Sequence, residues 1–83
     1  MGRIEEAIKD YSKALIIQPD AQEVWKLQGN ALSALKRYEQ ALNSYEKALA
    51  IQREVGDRRG EVNTLISLAP LYTLDLLQKG KIK

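Results

Sequence analysis

The chain is 83 residues long with 45% apolar and 29% charged residues, a balance ordinary for a small folded domain and unlike a disordered chain. It has no cysteine and no histidine, which excludes disulfides, thiol chemistry, imidazole catalysis and nearly every transition-metal site. The net charge of +2 owes much to Lys79, Lys81 and Lys83 in the last five positions, so the rest is nearly balanced and offers no polyanion-binding field.

The first element is a helix from Arg3 to Gln18. Its apolar residues Ile4, Ala7, Ile8, Tyr11, Ala14, Leu15 and Ile17 recur at spacings of three and four, the signature of one helical face. Pro19 should end it, because the residue before a proline is pushed out of the helical region. Asp20 is the expected N-cap of a second helix, with Glu23 three residues on completing a capping box, and this helix runs to about Leu35. A turn at Lys36 follows, where a left-handed conformation would cost about 1–2 kcal/mol relative to glycine.

The third helix begins near Arg37 and repeats the first. Arg3, Ala7, Tyr11, Lys13, Ala14, Leu15, Ile17 and Gln18 return thirty-four residues later as Arg37, Ala41, Tyr45, Lys47, Ala48, Leu49, Ile51 and Gln52. A fixed period of this size signals stacked helical repeats, none of which can bury its apolar face alone. Gly56 is the expected C-cap and Asp57 the N-cap of a fourth helix from about Arg58. Pro70 should kink or restart that helix, since a straight passage through proline loses about 3 kcal/mol. The leucine-rich stretch from Leu65 to Leu77 is too short and too interrupted to span a bilayer, and the last residues, Lys81-Ile82-Lys83, are expected to fray. The start, Met1-Gly2-Arg3-Ile4-Glu5-Glu6, lacks a signal-peptide pattern, so a cytoplasmic address is expected.

Trp25, Gly29, Leu32, Tyr38, Ala41, Tyr45 and Ala48 together resemble one tetratricopeptide repeat, a hairpin of an A helix and a B helix. The small residues suit close helix approach, and the large ones fill the space left. The resemblance implies an all-α, single-domain α-solenoid fragment. Residues 3–18 form the B helix of a partial repeat, 21–55 a full repeat, 58–79 the A helix of a third, and 80–83 a tail. In that third repeat Leu65, Leu68, Ala69 and Tyr72 stand in the family's Trp, Leu, Gly and Tyr positions, at an offset of forty because Arg53 to Arg58 lengthens the connection. The stretch Gly56 to Glu61 is similar to longer-period members, including those of kinesin light chains. Arg53 replaces the proline that often closes a repeat, which suits a longer third helix.

The resemblance also implies a function, an interaction module without catalysis or cofactor that binds a protein or peptide. The partner-facing side of the A helices would comprise Glu23, Lys26, Asn30 and Ser33, with Asn63, Ile66 and Ser67 on the fourth helix. Lys26 and Asn30 match the Lys and Asn of the family's carboxylate clamp for chaperone C-termini, an ammonium and an amide suited to a terminal carboxylate. Ser67 replaces the second clamp Asn, and Pro70 lies on the same side. The alternative reading is a self-assembling unit, with a homodimer expected through the terminal helices at Ile8, Tyr11, Leu15, Leu71, Leu74 and Leu77. Trp25, Tyr11, Tyr38, Tyr45 and Tyr72 sit at packing positions, so core is expected of them, and no basic groove interleaved with exposed aromatics points to nucleic acid. Membrane binding by the leucine stretch is the weaker use of residues that can cover a neighbouring helix.

Overall fold

The computed structural model describes residues 2–80, and these form four α-helices: α1 (Arg3–Ile17), α2 (Gln22–Ala34), α3 (Tyr38–Val55) and α4 (Arg58–Lys79). Each packs mainly on its neighbour in sequence, α1 on α2, α2 on α3 and α3 on α4, as expected of a helical repeat. The core sits on α3. Ala41, Leu42, Tyr45 and Leu49 are buried there between Leu32 of α2 and Leu68 and Leu71 of α4, with Ile8 and Tyr38 packed against them.

The turns explain the boundaries. Gln18, held before Pro19, leaves the helix at φ −137° and ψ 82°, and α1 stops at Ile17. Asp20 does not cap α2. Ala21 takes that place without a side-chain cap, and the turn is fastened instead by the Trp25 indole, whose Nε1 donates to the Pro19 carbonyl at 2.8 Å. A polar residue one position early cannot reach the orphan amides, and a ring one turn on does the tying.

α2 and α3 end in the same way. Lys36 is left-handed at φ 62°, the Arg37 amide donates to the Leu32 carbonyl at 2.9 Å, and the Lys36 amide to the Ser33 carbonyl at 2.9 Å. Gly56 is left-handed at φ 75°, the Asp57 amide donates to the Gln52 carbonyl at 2.8 Å, and the Gly56 amide to the Arg53 carbonyl at 3.3 Å. Both are Schellman closures, one built on glycine and the other on a lysine that bears the left-handed strain. Asp57 then caps α4, its Oδ1 accepting from the Gly60 amide at 3.0 Å.

Of the two outcomes expected at Pro70, a kink or a restart, the restart is excluded, and one helix continues to Lys79. Pro70 is exposed, while Leu68 and Leu71 on either side of it are buried at 3% and 4% exposure. Burying two leucines is worth about 3–6 kcal/mol, enough to outweigh the roughly 3 kcal/mol that proline costs a helix interior. The following turns are tied back as well: Gln78 Nε2 donates to the Lys36 carbonyl at 3.1 Å, and the Lys79 ammonium reaches Asp75 at 3.2 Å and Glu39 at 3.8 Å. The expected fraying of Lys81-Ile82-Lys83 lies outside the described residues.

Candidate functional site

On α2 the partner-facing residues divide by exposure. Glu23 and Asn30 are exposed, and Lys26 and Ser33 are half-buried. The buried Tyr45 of α3 reaches through to this face, where its hydroxyl donates to Asn30 Oδ1. Asn30 is thereby oriented from below by the core, and its amide nitrogen keeps two N–H donors with no partner among the described residues. Lys26 makes no ion pair among the described residues, so an ammonium and an amide stand one turn apart on one helix, both available to an anion. Burial raises the Tyr45 phenol above its ordinary 10.0.

The residues assigned to α4 are less coherent as a site. Asn63 and Ile66 are exposed and Ser67 is half-buried. Spacings of three and four place Asn63, Ile66, Ser67 and Pro70 on one flank, so the proline ring shares the surface with the two polar groups.

Of the α2 and α4 residues named, Asn30 lines a groove between α1 and α2. Its walls are Arg3, Ile4, Ala7 and Tyr11 from α1 and Leu27 and Ala31 from α2, around roughly 330 Å³. A second groove, of about 420 Å³, lies where α1, α2 and α3 meet and is lined by Ile8, Trp25, Gln28, Leu32, Arg37 and Lys47 among others. The Lys47 ammonium stands 5.5 Å from the centre of the Trp25 ring there, and Gln28 Oε1 is buried without a hydrogen-bond partner. Sequence periodicity does not reveal this groove, because its walls come from three helices and include positions that are polar on each.

The self-association residues need correction. Leu15 and Leu71 belong to the chain's own buried residues, at 7% and 4% exposure, and cannot form a surface. Ile8 is packed against the core and Tyr11 is half-buried, while Leu74 and Leu77 are exposed. Exposed apolar residues outside that set include Leu65, Ala69, Tyr72 and Leu76 on α4 and Ile16 on α1. Their repeat positions carried the signal, since Leu65, Ala69 and Tyr72 stand where α2 carries its packing edge. The aromatic expectation is met in part. Tyr45 is buried, Tyr11, Trp25 and Tyr38 are half-buried, and Tyr72 is exposed, with its hydroxyl donating to Glu46 Oε2 at 3.2 Å. Partial desolvation, then the hydrogen bond and charge of Glu46, raise the Tyr72 phenol.

Among the described residues no group of acidic side chains is placed to hold a metal ion, and no helix is long and apolar enough to cross a membrane. No curated protein and no solved structure matches the chain. A tetratricopeptide repeat family model matches residues 20–76, and a second tetratricopeptide repeat model matches residues 1–20. Repeats of this kind are non-catalytic modules that mediate protein–protein interaction. The matched segments meet at the Pro19–Asp20 turn between α1 and α2, the hairpin of α2 and α3 is closed by Tyr45 on Gly29, and the chain belongs to the tetratricopeptide repeat family.

Proposed function

We propose that the chain binds the carboxylate of a peptide or protein partner through α2, with Lys26 supplying the charge and Asn30 the paired N–H donors, and that it carries out no catalytic step. One observation carries this reading. Tyr45 donates to the carbonyl oxygen of Asn30 and so orients the amide, whose two N–H donors have no partner among the described residues and stand beside the Lys26 ammonium. In this reading Glu23 and Ser33 of α2 border it, and the α4 residues Asn63, Ile66 and Ser67 are its assigned extension by repeat position.

The probe is an array of short peptides made in two forms, with a free C-terminal carboxylate and with a C-terminal amide. Binding is expected to favour the free carboxylate, to fall as salt rises, and to drop on Lys26→Ala and Asn30→Ala. Equal binding of both peptide forms, or of wild type and the double variant, removes the reading.

A second reading, self-assembly, is favoured by a different observation. α4 is apolar around most of its circumference. Its inner face is spent on α3, and Leu65, Tyr72, Leu76 and Leu77 remain exposed.

A further inference from the structure

On α4 the residues Thr64, Leu68 and Leu71 face inward and are buried, while Leu65, Ala69, Tyr72 and Leu76, spaced by four, three and four, form a second stripe that is exposed throughout. A helix apolar on two faces needs a neighbour on each.

The chain contains its own template for that neighbour. Within the α2–α3 hairpin Leu32 packs with Ala41 and Tyr45, the Tyr45 ring lies directly over Gly29, and the repeat pattern adds Trp25 to the α2 set and Ala48 to the α3 set. The repeat offsets carry the first set to Leu65, Ala69 and Tyr72 of α4, and the second to Ala7, Tyr11 and Ala14 of α1. Both copies of the interface are unspent: the α4 set is exposed, and the α1 set is only half-buried, with Ala7 and Tyr11 lining the groove of roughly 330 Å³ beside Leu27 and Ala31.

Charge agrees with this pairing. In the antiparallel arrangement of α2 and α3, the start of α4 meets the end of α1. Arg58 and Arg59 occupy the first turn of α4, against the positive end of its macrodipole, and make no ion pair among the described residues. The last turn of α1 carries no basic residue, and Asp20 follows it. Asp57 already caps α4, so the two arginines beyond it are the cations that the Asp20 end of α1 can receive.

We infer that α4 of one molecule docks in the α1–α2 groove of a second copy, rebuilding between two chains the hairpin that α2 and α3 make within one. The inference rests on the self-assembly reading and is independent of the carboxylate reading, although Asn30 borders both surfaces. The donor and acceptor faces belong to the first and last helices of the stack, so the contact is head-to-tail and each added molecule presents another α4.

Sedimentation of the 83-residue chain from micromolar to millimolar concentration tests this, with circular dichroism reporting folding. Ile4→Glu blocks the groove and Ala69→Arg blocks α4, and both residues are exposed in the single chain, so each variant is expected to keep its helicity. Leu27→Glu serves as a second groove variant. Wild type is expected to grow in mass with concentration, and each variant alone to stay at 9.4 kDa. An equimolar mixture of a groove variant with Ala69→Arg is expected to double its mass and stop there, because one intact α4 meets one intact groove. A wild type that stays monomeric throughout overturns both this pairing and self-assembly, and leaves the α4 stripe to a different partner or a further helix of a longer chain. A wild type that grows while the variants also grow, or a mixture that stays monomeric, overturns the pairing and spares self-assembly.

Discussion

The aromatic ring of Tyr45 lies so close over Gly29 that a β-carbon at position 29 would fall 2.7 Å from Cε1 and 2.8 Å from Cδ1 and Cζ. Alanine is favoured over glycine in a helix by about 0.8–1 kcal/mol, but overpacking costs about 1–3 kcal/mol, and Tyr45 is buried with its hydroxyl engaged by Asn30. The clash wins. Gly29→Ala is expected to lower stability in a urea melt, and Gly29→Leu to lower it further. A melt unchanged by Gly29→Leu would show that the two helices do not meet there.

Lys36 and Gly56 occupy the same place in two Schellman turns, and only one of them is a glycine. Lys36→Gly should raise stability by about 0.5–1 kcal/mol, the left-handed strain of about 1–2 kcal/mol less the extra chain entropy of glycine. Gly56→Lys should lower it. The pair of thermal melts is decisive through its signs, which must be opposite.

Thr64 is fully buried, and its Oγ1 has no hydrogen-bond partner. Replacing an unpaired buried hydroxyl with a methyl group of the same shape removes a desolvation cost of about 1–3 kcal/mol. Thr64→Val is therefore expected to stabilise the chain, where most buried substitutions destabilise. A loss of stability on denaturant unfolding would mean that the hydroxyl is paired.

Tyr45 and Tyr72 have phenol pKa values raised above the ordinary 10.0, the first by burial, the second by desolvation and then by Glu46. A raised folded pKa means that the stabilising contribution is fully present below the unfolded value and is lost as pH rises through the folded one. Stability is thus expected to fall on the alkaline side, above about 10. An absorbance titration of tyrosinate should show a late component that Tyr45→Phe and Tyr72→Phe each diminish. A single transition at the ordinary value would contradict the burial of Tyr45.

The four helices, their stacking order and the closure at Gly56 are legible in the residues, because helical periodicity, proline and glycine act locally, whereas the left-handed turn at Lys36 is decided by the structure. Repeat spacing puts Gly29 at a close helix approach, and the structure supplies the Tyr45 ring that meets it there. Asp20 shows where local chemistry misleads: it is a fitting cap residue, yet the indole of Trp25, six positions from the carbonyl it binds, fastens that turn. At Pro70 the local rule also yields, because the burial of Leu68 and Leu71 and the ties of Gln78 and Lys79 outweigh one missing hydrogen bond.

On the candidate site, helical spacing puts Glu23, Lys26, Asn30 and Ser33 on one face without any structure. That the Asn30 amide is oriented by a hydroxyl arriving from α3 was decided by a contact between residues fifteen apart. The same division holds for the exposed leucines. Sequence marks α4 as apolar, but a stripe that is apolar all round cannot say which side it spends on its own core. Only the packing of α4 on α3 decided that Leu71 is inside and that Leu65, Tyr72 and Leu76 are outside, since burial is a property of the neighbours a residue meets and not of the residue itself.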